Sequence, residues 1–288
     1  MPEMPSHLSS QSETRSESWQ EIIQRGRLPN WNIDPSKIPR LTDRLVKIDT
    51  PVGRISTKRG YFPDGFHYVI CSASQISPAQ FLRIRRLAKP SQVLPCYYEW
   101  DYRITYTPFT YYRHLQKLRR YGIKSVVMMD ASSWYGEPFE KRLEKALFNF
   151  ELAVIAQTSG FDVLPNYNAF ISELIFRHAL PKHVPSICID GAHSDHSSYI
   201  REDKMLLTGL LKKYGTRSAI IITGKKIMSP LLQAYIDVFK AFNGKTYFVP
   251  SEARFLAAGA KVATMRCKQM NRDNEARRFH EARRAAAK

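Results

Sequence analysis

Short apolar runs alternate with longer segments of helical period from Gly65 to about residue 260, and this rhythm limits the possible folds most strongly. Strand-like runs are FHYVICSA, QVLPCYY, SVVMMDA, FDVLPNYN, SICIDGA, SAIIITG and KTYFVPS. Several are almost wholly apolar, as is typical of parallel strands covered on both faces. Strands that alternate with helices favour a parallel sheet with right-handed crossovers. We therefore predict an α/β fold, a regular or irregular (β/α) barrel first and an open doubly wound sheet second, with an eighth strand available in residues 46–60.

Capping residues and glycines mark the expected helix ends. A hydroxyl before a proline is a common helix start, because the side chain caps the first turn and proline fits the first helical position. Three such pairs occur, namely Ser77-Pro78, Thr107-Pro108 and Ser229-Pro230. Glu137-Pro138 is a weaker candidate for a helix start. Glycine favours helix termination. The glycines expected to end helices are Gly122, Gly160, Gly215 and Gly244.

The chain divides by composition into three parts. Residues 1–60 are predicted to be a mobile N-terminal segment with a short helix in ESWQEIIQRGRLP, and residues 61–260 form the barrel-like domain. Residues 261–288 hold nine Lys or Arg against three acids, which predicts a basic helical tail. This tail is either a solvated terminal helix, an arm that folds along nucleic acid, or a membrane-surface helix. We favour the first two interpretations.

The formal charge of +18 is the unusual compositional feature. So large a positive charge attracts polyanions such as DNA or RNA. No apolar run approaches the roughly 18 residues needed to span a bilayer, and the N-terminus lacks the apolar core of a secretory signal. Scattered cysteines, three of them in or beside strand-like runs, indicate buried thiols in a reducing compartment. A cytoplasmic protein without a membrane partner is expected; its oligomeric state is left open.

Acidic side chains follow several predicted strands, where function gathers in α/β folds. Asp101, Asp130 and Asp190 are the catalytic candidates, since three converging carboxylates would bind Mg²⁺ or Mn²⁺ for phosphodiester cleavage. A strand-end Asp more often caps a turn. The DGAHSDH stretch offers His193, Asp195 and His196 as metal ligands, although such a sequence is also typical of an ordinary loop.

Basic side chains provide the candidate nucleic-acid contacts. They cluster in FLRIRRLAKP and HLQKLRRYGIK, after SAIIITG, and in the tail. The residues are Arg83, Arg85, Arg86, Arg119, Arg120, Lys225, Lys226, Arg277, Arg278, Arg283 and Arg284. Cations near helix C-termini also complement the helix dipole, which accounts for part of the pattern.

The stretch CYYEWDYRITYTPFTYYRH is rich in aromatic residues. Its first part extends a buried strand, and Tyr111, Tyr112 and Leu115 are expected to share one packed helix face. Tyr98, Trp100 and Tyr106 either stack bases or cover the mouth of the barrel. A guanidinium in the intervening loop, beside a carboxylate, is suited to clamping a phosphate, so we assign nucleic-acid binding to Arg103 and the adjacent Tyr102.

Four motifs, YEWDYRIT, MMDASSW, VLPNYN and IIITGK, occur in that order. Over roughly residues 93–226 the chain resembles an uncharacterised domain family encoded by phages, plasmids and other mobile elements. The matching residues are Asp101, Tyr102, Arg103, Asp130, Ser132, Pro165, Asn166 and Gly224. The resemblance implies a genomic setting rather than a reaction. Ser132 and Asn166, which follow predicted strands, are further residues of the strand-end mouth. The histidines of DGAHSDH depart from the family pattern.

Three functions are compatible with these features. The first is a nucleic-acid-binding protein of a phage or plasmid, acting in replication or nucleic-acid processing. The second is a metal-dependent nuclease or phosphodiesterase, which requires the Asp101 and Asp130 carboxylates within about 4–6 Å of each other. The third is a barrel that binds a small phosphorylated ligand in an enclosed pocket. We predict the first.

Overall fold

Parallel strands and the helices between them make up the part of the chain that the computed structural model describes, residues 35–55, 67–73, 76–86, 88–97, 106–130, 138–167, 178–191, 200–223 and 229–251. The strands are β1 Val52–Arg54, β2 Tyr68–Ser72, β3 Val93–Cys96, β4 Ser125–Val127, β5 Asp162–Leu164, β6 Asn166–Tyr167, β7 Ser186–Gly191, β8 Ser218–Thr223 and β9 Lys245–Pro250. The helices are α1 Pro78–Arg85, α2 Pro108–Arg120, α3 Phe139–Thr158, α4 Ile200–Tyr214 and α5 Pro230–Ala241. The predicted α/β class is confirmed.

The described strands pair in three parallel sheets, ordered β1-β2-β3, β4-β5 and β6-β7-β8-β9. Each of the strand-like runs contains an observed strand, and β1 lies in the range expected for an eighth. The sheets are also neighbours, since β3 lies beside β4, β5 beside β7, and β9 beside β1. Because the strands of each sheet are parallel, their carboxyl ends lie at the same end of that sheet.

The run FDVLPNYN forms two short strands rather than one. Its first half, β5, pairs with β4, and its second half, β6, pairs with β7. Pro165 lies between them; it has no N–H to donate, and its carbonyl accepts a hydrogen bond from the Cys188 amide at 2.8 Å. The other edge of β5 is covered by Leu45, which bridges to Val163, and the Val46 amide donates to the Val163 carbonyl at 3.0 Å.

Helix starts follow the expected chemistry at three positions. The hydroxyls of Ser77, Thr107 and Ser229 accept hydrogen bonds from backbone amides three residues later, at 3.3, 3.2 and 3.1 Å. Each cap is followed by proline in the first turn. Glu137-Pro138 behaves differently, because Pro138 is itself the cap residue and α3 begins at Phe139.

Three of the four expected glycine stops adopt the left-handed conformation, with φ of 80° at Gly122, 93° at Gly160 and 65° at Gly215. Gly244 does not, and Asn243 takes that conformation after α5 with φ 54°. Gly244 is needed for space instead. A Cβ there would lie 2.8 Å from Cδ1 of Phe239 and 3.0 Å from the Arg217 carbonyl oxygen.

The core lies on both faces of the strands, and all six residues of β8 are buried. The side chains of Cys71, Cys96 and Cys188 are buried, as the sequence predicts. Residues 38–55, which composition places in the N-terminal segment, also contribute buried side chains, including Ile38, Leu41, Val46, Ile48 and Val52. No described helix is both long and apolar enough to cross a membrane.

Candidate nucleic-acid interface and strand-end polar site

Polar side chains occupy the carboxyl ends of the described strands. This strand-end set consists of Arg54, Ser72, Asp130, Asn166, Asp190 and Thr223. All except the half-buried Asp190 are buried. The register aligns three of them along one edge, because Asn166 lies opposite Cys188, two residues before Asp190, and Thr223 lies opposite Gly191.

Asn166 connects two of the sheets. Its side-chain amide donates to the carbonyls of Met128 and Met129, at 2.8 and 3.2 Å, and these residues directly precede Asp130. Asp130 is 7% exposed. The candidate residues Asp130, Asn166 and Asp190 are therefore brought to one region, where β4, β6 and β7 end.

Arg54 is a strand-end residue that the sequence interpretation missed. Its guanidinium donates to the Pro250 carbonyl at 2.9 Å and to the Ser72 hydroxyl at 3.0 Å. Because these partners belong to β9 and β2, one buried cation links three strands. The sequence signal for a buried Arg54 is its position between apolar neighbours in PVGRIS. A strand of three residues is too short for an alternating pattern to show which side chains are buried.

Many of the other predicted site residues lie outside the described residues. They are Asp101, Tyr102, Arg103, Ser132, His193, Asp195, His196, Lys225, Lys226, Arg277, Arg278, Arg283 and Arg284. Among the described residues, no group of three or more His, Cys, Asp or Glu side chains is placed to hold a metal ion. The carboxylate metal site stays a prediction, since it depends on Asp101.

Two basic segments meet on the surface. The first segment, on and after α1, holds Arg83, Arg85, Arg86 and Lys89. The second holds Arg119 and Arg120 at the end of α2 and Lys124 directly before β4; all seven residues are exposed. The Phe81 and Tyr121 rings stack between the segments, 4.1 Å apart and 11° from parallel. A Cβ on Gly122 would lie 3.3 Å from Pro90, so the chain is closely packed here. We call these seven residues the basic patch.

The charge of the basic patch is not balanced by acidic side chains within the described ranges. Ion pairs there join Arg44 to Asp162 at 3.4 Å and Lys47 to Asp49 at 3.8 Å. Neither includes a residue of the patch. Arg119 donates to the backbone carbonyl of Ser159 at 3.5 Å. Seven neighbouring cations without acidic partners in this part of the chain leave a positive field on the surface.

The basic patch and the strand-end set lie at opposite ends of the strands. The α1 helix ends before the first residue of β3, and α2 ends before the first residue of β4. The cations at their C-termini therefore lie near the amino ends of these strands. The strand-end set lies at the carboxyl ends.

An aromatic cluster follows β3. The Tyr97 ring lies 6.1 Å from Tyr106, 5.6 Å from Tyr111 and 5.9 Å from His114, each in edge-to-face geometry. Burial raises the pKa of both Tyr97 and Tyr111. Burial, with a smaller contribution from Lys117, lowers the pKa of His114 to about 4. These groups are neutral near pH 7; Tyr97 and Tyr111 belong to the core, and His114 is half-buried beside them.

The predicted packed face of α2 is correct for Tyr111 and Leu115 but wrong for Tyr112. Tyr111 and Leu115 are 1% and 0% exposed, whereas Tyr112 is 47% exposed. Leu118 completes the buried row instead. The phase of the helix is fixed by the contact of Tyr111 with Tyr97, which joins helix to strand.

A scan against protein-family models found no match, and a search of curated proteins found no significant relative.

Proposed function

We propose that this chain is a nucleic-acid-binding protein that contacts phosphate groups through the basic patch. The observation that carries the proposal is the meeting of two basic segments, without acidic partners in the described ranges, across the Phe81–Tyr121 stack. Lys and Arg on phosphates supply most of the affinity of non-specific nucleic-acid binding. The resemblance in motif order supports a setting in a phage or plasmid, with a role in replication or nucleic-acid processing.

We infer that the three sheets form one irregular (β/α) barrel. The adjacency of β3 with β4, of β5 with β7 and of β9 with β1 would return the strand order to its start. The Arg54 hydrogen bonds to β2 and β9 support closure at β1. On this basis β5 and β6 count as one interrupted strand, which would give eight positions around the barrel.

A metal-dependent phosphodiesterase is the second candidate. Its support is the gathering of Asp130, Asn166 and Asp190 where β4, β6 and β7 end, a region that Asp101 would have to join. Carboxylate oxygens suit Mg²⁺ or Mn²⁺. The position of the basic patch at the other end of the strands favours binding over cleavage, because a substrate held by the patch would lie away from these acids.

The first test is a salt titration of binding to labelled single-stranded DNA, duplex DNA and RNA, with Mg²⁺ present and strand integrity checked afterwards. The Arg83→Gln/Arg85→Gln/Arg86→Gln and Arg119→Gln/Arg120→Gln variants should weaken binding. Each should also make the slope of log affinity against log salt shallower, by about 0.7 to 0.9 for every phosphate that the variant no longer neutralises. The matched control is Lys212→Gln/Lys213→Gln, which removes two exposed cations from α4.

Equal effects of the patch and control variants would mean that only net charge matters, and would contradict the assignment to the patch. Absence of binding at low salt would contradict the proposed function altogether. Cut strands would favour the phosphodiesterase. In that case the Asp130→Asn and Asp190→Asn variants should abolish cleavage.

A further inference from the structure

The solvent-facing side of α2 carries two aromatic and two cationic side chains in one row. Tyr112 and Arg113 follow Phe109 by three and four residues, and Arg120 follows Arg113 by seven, so all four lie on the same side of the helix. The opposite face is the buried row of Tyr111, Leu115 and Leu118. We call the exposed row the α2 stripe.

Two features distinguish the α2 stripe from an ordinary solvated face. Phe109 is 67% exposed and Tyr112 47% exposed, and they are two of the four large hydrophobic side chains that are exposed in the described ranges. The Arg113 guanidinium lies 5.9 Å from the centroid of the Phe109 ring, within cation–π range. The α2 sequence PFTYYRHLQKLRR contains no acidic residue.

We propose that the α2 stripe binds single-stranded nucleic acid, with bases stacked on Phe109 and Tyr112 and phosphates held by Arg113 and Arg120. This inference rests on the proposed function and names its substrate class. Exposed rings beside cations are the recurring combination in proteins that bind single strands. A duplex keeps its bases stacked internally, so rings on a convex helix face find no free base surface there, whereas unpaired bases offer theirs.

The α2 stripe is continuous with the basic patch because Arg120 belongs to both. From Phe109 to Arg120 the helix rises about 17 Å. A strand lying along this row would meet rings first and then the cations at the end of α2. The positive charge of the row and the absence of acids on the helix fit a polyanionic occupant rather than a basic or neutral one.

The test compares a labelled single-stranded oligonucleotide with a duplex of the same sequence, measured by fluorescence anisotropy at low salt. Phe109→Leu/Tyr112→Leu keeps apolar side chains but removes the rings. It should lower single-strand affinity by at least about tenfold, given the usual cost of losing base–aromatic stacking, and leave duplex affinity within about twofold. Tyr112→Phe keeps the ring and should bind like the wild type. Leu82→Ala, at a 60% exposed apolar residue of α1, is the matched control.

Each alternative outcome is distinguishable. If the Arg83→Gln/Arg85→Gln/Arg86→Gln variant loses affinity but Phe109→Leu/Tyr112→Leu does not, the proposed function stands and the single-strand inference is overturned. Equal losses on single strand and duplex overturn it as well. If no nucleic acid binds, and anionic lipid vesicles bind in a Phe109-dependent way, both proposals fail. Unchanged melting temperatures ensure that folded proteins are compared.

Discussion

At the scale of single residues, His114 is the most informative side chain of the aromatic cluster. Its ring lies 5.3 Å from Tyr106 and 5.9 Å from Tyr97 by ring centroids. Its Nε2 is buried and has no hydrogen-bond partner among the described residues. Burial of this nitrogen without an acceptor for a second proton favours the neutral imidazole. It therefore contributes to the core as an aromatic ring rather than as a charge.

Acidification should destabilise the protein through His114. The pKa falls from 6.5 to about 4 on folding, so the unfolded chain takes up the proton first as the pH drops. The contribution to stability is complete above pH 6.5 and is lost as the pH falls towards 4, by up to about 3 kcal/mol. Urea unfolding at a series of pH values between 7 and 5 measures the loss.

His114→Phe provides the check on this prediction. The variant keeps an aromatic ring but cannot bind a proton, so its stability should fall less between pH 7 and 5 than that of the wild type. His67→Asn changes an exposed histidine and should leave the wild-type pH dependence intact. If His114→Phe shows the same pH dependence as the wild type, the cause lies in another group.

At the scale of helices and strands, local sequence predicts most of the fold. Each strand-like run contains a strand, and three Ser-Pro or Thr-Pro pairs begin helices, because these signals are read from neighbouring residues. The predictions that are wrong concern features that depend on residues far away in sequence. Pro165 divides a predicted strand because Leu45 covers β5 while β7 pairs with β6, and no local pattern specifies that arrangement.

Glycine substitutions distinguish a glycine that is needed for close packing, Gly244, from one in open space, Gly209. Gly244→Ala should destabilise the protein by about 1 to 3 kcal/mol, because the new methyl group overlaps Phe239 and the Arg217 carbonyl. Gly209→Ala in α4 meets nothing within 4 Å and should stabilise by up to about 1 kcal/mol, since alanine has the higher helix propensity. Chemical denaturation of both variants gives the comparison. Equal effects would show that packing around Gly244 relaxes freely.

At the scale of the whole molecule, the strand-end polar residues could be predicted only in part. Asp130, Asn166 and Asp190 were identified because each follows or ends an apolar run. Arg54 was missed because its role depends on Ser72 and Pro250, which are far away in sequence. The basic segments were likewise visible in the sequence, but their meeting requires the stack of Phe81 on Tyr121.

Arg54 should matter to stability far more than the exposed cations. Arg54→Met removes the hydrogen bonds to the Pro250 carbonyl and the Ser72 hydroxyl, both of them buried, so a loss of about 2 to 4 kcal/mol is expected. Arg54→Lys should recover little, because one ammonium does not reproduce the planar fork. Lys47→Met, at a side chain that is 72% exposed, is the control and should change stability by less than about 1 kcal/mol. A small effect of Arg54→Met in urea unfolding would contradict the linking role.

The segment that covers β5 has a consequence for synthesis on the ribosome. The Ile48 amide donates to the hydroxyl of Ser186, 138 residues later, at 2.8 Å. At ordinary translation rates, roughly 7 to 30 s pass between the appearance of these two residues. Until β5 and β7 have been made, Val46 and Ile48, both buried in the finished protein, lack their partners in these strands. The nascent chain therefore carries an apolar segment that stays accessible to chaperones and to neighbouring chains until β7 has been made.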